Sequence, residues 1–214
     1  MNSINLLQTL PIIFSDLNSI KSEVWHKNLT FNKGNIYLIE PAAGTGKSSL
    51  CSYIYGYRDD YQGIISFDEE NIKKYSIDDW VQIRKKSLSM LFQDLRLFAG
   101  LSAFENVQLK NNLTGFKSKN SIKQFFEMFG IADKLNAKVG KLSFGQQQRV
   151  ALIRCLCQPF DFLILDEPVS HLDEDNVRIM GEVIMSEVAE QGAALIITSI
   201  GKSIDLNYDK ILKL

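Results

Sequence analysis

Ile36-Tyr37-Leu38-Ile39-Glu40-Pro41-Ala42-Ala43-Gly44-Thr45-Gly46-Lys47-Ser48 joins an apolar, β-rich run to a turn of small residues, and the turn opens into residues 48–55, which suit a helix. Four consecutive apolar residues closed by a glycine-containing turn read as a strand buried on both faces, the kind that parallel sheets use. Phe162-Leu163-Ile164-Leu165 and Ala194-Leu195-Ile196-Ile197 have the same character, and a long helical pattern over residues 175–189 separates them. Such alternation of strand and helix builds an α/β domain. Residues 71–141 differ. They are rich in Lys, Gln, Asn and Phe, carry helix-like stretches such as 122–129, and are expected to form a largely helical insertion.

The turn after the first strand has the composition of a phosphate cradle. Ala43, Gly44, Thr45 and Gly46 let backbone amides converge, and the helix that opens at Ser48 and Ser49 brings the partial positive charge of its N-terminus. Lys47 would reach the β and γ phosphates of a nucleotide, and the Ser48 hydroxyl would serve Mg2+, a hard cation that prefers oxygen. Pro41 stands where this motif usually has its leading glycine; proline ends a strand without needing its amide, so the cradle is expected to survive. The plainer alternative, a strand-to-helix turn with an incidental lysine, is weakened by the second buried run. That run ends in Asp166-Glu167, two acids at the strand edge where ligands of open α/β sheets bind. Asp166 suits Mg2+, and Glu167, one residue beyond, suits polarising an attacking water.

Composition limits the alternatives. The 214 residues, 45% of them hydrophobic, suffice for one sizeable core. Charged residues make up 23% and balance to a net charge of -1, which gives no global attraction to nucleic acid or anionic membrane. No apolar run approaches the roughly 20 residues that cross a bilayer, and no secretory leader pattern is present, so a cytoplasmic protein is expected. Three cysteines without a paired motif read as core thiols, and two distant histidines, His26 and His171, argue against a histidine-rich metal site.

Leu142-Ser143-Phe144-Gly145-Gln146-Gln147-Gln148-Arg149, shortly before the acidic strand, resembles the signature of ABC transporter nucleotide-binding subunits, and the resemblance extends over nearly the whole chain. It implies a P-loop NTPase fold of the ABC type, an ATPase core with a mixed sheet flanked by helices (about 1–93 and 142–214) and a helical subdomain (about 94–141). It further implies ATP and Mg2+ as ligands. The catalytic group would be Glu167, Gln93 and Lys47, and the metal group Ser48, Gln93 and Asp166. Nucleotide would be bound by Ala43 through Ser49 and, from the opposite subunit of a dimer, by Ser143, Gly145 and Gln146. Phe92-Gln93 looks like the Q-loop and Ser170-His171-Leu172-Asp173 like the D-loop. Residues 85–107 are similar to the subgroup serving lipoprotein release, macrolide export and cell division, and Asp209-Lys210-Ile211-Leu212-Lys213-Leu214 matches the end of such subunits. The implied partners are a second copy or a paralogous subunit and an integral membrane permease-type subunit, at the inner face of the plasma membrane, with no nucleic acid. Apolar residues near Leu95, Leu97 and Phe98 either line the groove for that partner or pack beneath a helix.

Besides Pro41, the sequence departs from the family pattern at three places. Phe144 replaces the first of two usual glycines in the signature. Ser199, after Thr198, stands where a histidine is expected, which predicts slow hydrolysis. Leu17 and Asn18 lie where an adenine-stacking aromatic is expected, with Phe14 and Trp25 nearby but readable as surface or core side chains. Two alternatives therefore stay open: a nucleotide clamp with little or no hydrolysis, and a signalling ATPase of the cell-division type that transports nothing.

Overall fold

The computed structural model describes residues 1–15, 21–40, 45–170 and 172–214. In chain order its strands and helices are β1 (Ser3–Pro11), β2 (Asn28–Asn32), β3 (Ile36–Glu40), α1 (Lys47–Ile54), β4 (Tyr61–Phe67), β5 (Glu70–Asn71), α2 (Ile77–Lys86), β6 (Leu88–Leu91), α3 (Ala103–Asn111), α4 (Lys119–Met128), α5 (Phe144–Leu156), β7 (Phe162–Asp166), α6 (Glu174–Gln191), β8 (Ala194–Thr198) and β9 (Lys210–Lys213). The three apolar runs are β3, β7 and β8. They lie side by side in one parallel sheet of order β6-β7-β8-β3-β9.

The reason for their unbroken hydrophobicity is visible in the packing. Leu38, Leu163, Leu165, Leu195 and Ile197 face a core built with α3, α4, α5 and α6. Tyr37, Ile39, Phe162, Ile164 and Ile196 face the other way, onto α1 and a second sheet. A strand covered on both faces has no side to leave polar.

The second sheet, β2-β1-β4-β5, is antiparallel throughout, so the mixed character of the fold is divided between two separate sheets. β1 bulges between Leu7 and Leu10, with Gln8 at φ 50°. The partner strand answers with Gly63 at φ 82°, where an added Cβ would come within 2.4 Å of the Gln8 carbonyl oxygen. Residues 71–141 are less uniformly helical than their composition predicts. They hold α2, α3 and α4 but also β6, whose four buried residues pair with β7 as an edge of the parallel sheet. No helix is long and apolar enough to cross a membrane among the described residues.

All three cysteines are free and buried. Burial pushes each thiol above its ordinary value, with the nearby Asp166 charge adding to the effect at Cys51.

Candidate functional site

Because the sheet is parallel, the C-terminal ends of its strands share one edge, and the candidate residues collect there. β3 leads to the phosphate loop, β7 ends in Asp166 with Glu167 next, β8 ends in Thr198 with Ser199 next, and β6 is followed by Phe92-Gln93. The register sets Asp166 directly beside Thr198, whose hydroxyl donates to Asp166 Oδ1 at 2.7 Å. Glu167 leaves the strand at φ 52°, its amide bonded to the Thr198 carbonyl. This left-handed turn throws its carboxylate toward α1.

Lys47, the first residue of α1, meets both acids. Its ammonium bonds Glu167 Oε1 and lies 3.4 Å from Asp166 Oδ1, with all three side chains largely shielded from solvent. Gln93 closes the group: its Nε2 donates to Glu167 Oε2 at 3.4 Å, and its Oε1 accepts from the Ser48 hydroxyl at 3.5 Å. Lys47, Ser48, Gln93, Asp166 and Glu167 are thus brought together as the sequence predicts. The group expected to hold Mg2+ offers a hydroxyl, an amide oxygen and a carboxylate, an all-oxygen set that suits this ion together with phosphate oxygens.

The start of α1 is chemically distinct from the other α-helices. Ser76, Ser102, Ser118, Ser143 and Asp173 cap α2 to α6 by accepting from a first-turn amide. α1 is preceded by Gly46, at φ 89°, and among the described residues no side chain caps it. Its first-turn amides are therefore available to an anion, in addition to the Lys47 charge. Gly46 is favoured for a second reason, since a Cβ there would sit 2.9 Å from the Phe14 ring and 3.3 Å from Trp25 and would force the rings to shift. Trp25 is buried beneath the loop and donates Nε1–H to the Thr45 carbonyl at 2.8 Å, which makes it a support. Phe14, Ile13 and Ile200 form apolar walls of a cleft of about 340 Å3 that Thr45, Lys47, Ser48, Ser49 and Arg58 also line. Pro41, Ala43, Gly44, His171, Leu17 and Asn18 lie outside the described residues.

Ser143, Gly145 and Gln146 form a separate locus at the start of α5. Ser143 Oγ accepts from the Gln146 amide at 3.3 Å, and Gln146 Oε1 accepts from the Ser143 amide at 3.0 Å, a reciprocal cap. The same helix reaches the cluster through Gln148, whose Nε2 donates to the Glu167 carbonyl at 3.2 Å. Ser199 is buried, and its hydroxyl donates to the Lys202 carbonyl of its own loop. Of the three apolar residues expected near the partner groove, Leu95 is buried and Leu97 packs on the helical core, so only Phe98 is exposed.

Three residues escaped the sequence reading. Thr198 holds Asp166, Arg58 donates to Ser49 Oγ at 3.0 Å, and Gln148 holds the Glu167 backbone. Only Thr198 carried a signal, as the polar end of a strand adjacent to the acidic one.

With an uncapped, lysine-headed helix facing two acids and a glutamine at one sheet edge, the comparison with known proteins is decisive. The family model described as ABC transporter matches residues 25–170. The chain belongs to the ABC transporter family. It is similar to the thiamine import ATP-binding protein ThiQ of Aliivibrio fischeri, 36% identical over 182 residues that span 81% of this chain and 75% of that protein. It is also similar to the macrolide export ATP-binding/permease protein MacB of Campylobacter jejuni, 30% identical over 191 residues, 87% of this chain but 30% of that longer protein. The dimeric, post-hydrolysis ATP-binding cassette MJ0796 bound to ADP and Pi has the same fold, with a TM-score of 0.76 at 23% identity over 92% of this chain and 87% of that one. The expected role, an ATP-binding subunit of an ABC transporter, is borne out.

Proposed function

We propose that the chain binds ATP with Mg2+ at the edge of its parallel sheet and hydrolyses it slowly. It does so as half of a dimer, with itself or a paralogous subunit, that drives a separate membrane permease-type subunit from the cytoplasmic side. The observation that carries this reading is the uncapped start of α1 with Lys47 set against Asp166 and Glu167. The β and γ phosphates would take Lys47 and the first-turn amides, releasing Glu167 to polarise water while Gln93 orients it. Ser48, Gln93 and Asp166 would hold Mg2+, which neutralises phosphate charge when bound. Ser143, Gly145 and Gln146 would present the N-terminus of α5 to the γ-phosphate held by the opposite subunit. Phe14, which lines the cleft wall, would meet the base. The core comprises about 1–93 and 142–214, and residues 94–141 form the helical arm.

The dimer of MJ0796 with ADP and Pi supports the paired arrangement, and the MacB name supports a permease partner. Relatives named for import and for export leave the direction to that partner. Lys47→Ala tests the reading: ATP titration should lose saturable binding, since the phosphates lose their charged partner. Undiminished affinity would overturn it.

One observation favours a second reading, a clamp that closes on ATP with little chemistry. The Ser199 hydroxyl is committed to the Lys202 carbonyl and supplies neither reach nor imidazolium charge at the γ-phosphate. Single-turnover hydrolysis distinguishes the two: measurable phosphate release at the rate of a slow enzyme supports the ATPase, and none supports the clamp.

A further inference from the structure

The turn between α1 and β4 brings a second cation to the nucleotide cleft. Arg58 lines that cleft together with Lys47, Ser48 and Ser49, and its guanidinium bridges two groups. Nε donates to Asp60 Oδ1 at 2.8 Å and Nη2 to Asp60 Oδ2, a two-pronged ion pair, while Nη1 donates to Ser49 Oγ at 3.0 Å. The guanidinium also lies over the Tyr53 ring, 5.3 Å from its centre. Asp60 is fixed in turn through its backbone, since its carbonyl accepts from the Ile12 amide at 3.0 Å and from the Tyr53 hydroxyl at 3.1 Å. Its carboxylate is therefore an anchored base for the arginine fork.

The pair itself does little for folding. The Arg58 and Asp60 side chains are 43% and 44% exposed, and an ion pair so open to water contributes little stability. Its consequence falls on Ser49. A serine within a helix tends to turn its hydroxyl back onto the carbonyl four residues earlier. Here that carbonyl belongs to Thr45 and is already engaged by Trp25 Nε1–H, and Ser49 Oγ accepts from Arg58 instead. A hydroxyl that accepts from a cation keeps one proton to give and is polarised toward giving it. The takers are the Tyr53 hydroxyl beside it and an anion in the cleft. The anion prevails, because a hydrogen bond to a charged acceptor is about twice as strong as a neutral one.

We infer that Arg58, clamped by Asp60, is a positioning residue for the nucleotide: it holds the Ser49 hydroxyl as a donor to the phosphate that Lys47 does not reach, the one nearest the sugar. This rests on the reading of the cleft as the ATP site. Under that reading Lys47 takes the β and γ phosphates and Ser48 serves Mg2+, which leaves the α phosphate to Ser49. Since ADP and ATP share that phosphate, the contribution of Arg58 is the same for both. Arginine suits the task because its planar fork holds a carboxylate on one edge and a hydroxyl on another, whereas the single ammonium of lysine cannot keep both in place.

The test titrates the full chain calorimetrically with ADP and with ATP, each with Mg2+. Ser49→Ala and Arg58→Met should each weaken both nucleotides by the same factor, about tenfold. In the Ser49→Ala background Arg58→Met should cause no further loss, the mark of a residue that acts through another. Arg58→Lys should behave as Arg58→Met. Asp60→Asn, which loosens the fork without removing the cation, should give a smaller loss in the same direction, and it carries the test if Arg58→Met folds poorly. Three results overturn the inference: a loss confined to ATP, which would assign Arg58 to the γ-phosphate; additive losses in the double variant, which would mean that Arg58 meets the nucleotide itself; and full rescue by Arg58→Lys, which would mean that charge alone matters. A parent that saturates with both nucleotides while Arg58→Met and Asp60→Asn bind as tightly sinks the inference alone, whereas a parent that binds neither sinks the nucleotide reading with it.

Discussion

Glu167 occupies a left-handed backbone conformation that costs a non-glycine residue on the order of 1 kcal/mol, and its carboxylate is engaged by Lys47. The lysine therefore has to leave one anion to reach another. Glu167→Gln removes that competitor, and the variant should bind ATP on the order of tenfold more tightly while the nucleotide-free protein melts at a lower temperature. It should also accumulate as an ATP-bound dimer in scattering measurements, because under the proposed mechanism the water would lose its base while the contacts between subunits would remain. Weaker ATP binding by Glu167→Gln would mean that the ion pair supports the site and does not compete with it. The neighbouring departure has the opposite sign. Ser199→His would place a ring nitrogen at the edge of the cleft, and single-turnover hydrolysis should rise with nucleotide affinity nearly unchanged. No increase would show that another group already fills this role.

At the level of elements, α3 and α5 provide a matched pair. Each begins with a reciprocal cap, from Ser102 with Glu105 and from Ser143 with Gln146, and the two serine oxygens accept at 3.2 and 3.3 Å. Loss of either hydroxyl should cost about 1 kcal/mol of stability in urea unfolding. Only Ser143→Ala should in addition weaken ATP-driven dimer formation, so Ser102→Ala serves as the control; equal effects on dimerisation would reduce the signature serine to a cap. The same comparison shows what the sequence made legible. β3, β7 and β8 were readable because burial on both faces leaves an unbroken apolar run, Asp166 and Glu167 because they end such a run, Lys47 because it closes the small-residue turn that follows another, and Gln93 only through the family resemblance. β1 was not, since the bulge at Leu7–Leu10 breaks its alternation, and β6 was not, since four residues inside a polar, helix-rich stretch carry too little pattern. Arg58 and Gln148 join the site only through tertiary packing, which no local spacing records.

Across the whole molecule, a buried ion pair ties the connection between α3 and α4 to α6: Lys117 lies 2.9 Å from Glu187, their side chains 12% and 8% exposed. Burial raises the Glu187 carboxyl above the ordinary range, against the opposing pull of Lys117. A carboxyl with a raised native value contributes stability that is full below its unfolded value and is lost as pH rises through the native one. Lys117→Met strands that charge and should cost about 2–3 kcal/mol at neutral pH, with the deficit shrinking as the carboxyl protonates toward pH 4. Urea midpoints of parent and variant should therefore converge on the acid side; a deficit independent of pH would mean that lost packing, not charge, is responsible. The molecule also contains its own optical readout. Of its two tryptophans, Trp25 holds the phosphate loop through the Thr45 carbonyl, and Trp80 lies on α2 under Arg84. Near-ultraviolet emission from Trp80→Phe, whose remaining emitter is Trp25, should respond to nucleotide, and emission from Trp25→Phe should not, so that two single-emitter variants would separate loop occupancy from other changes without added dye.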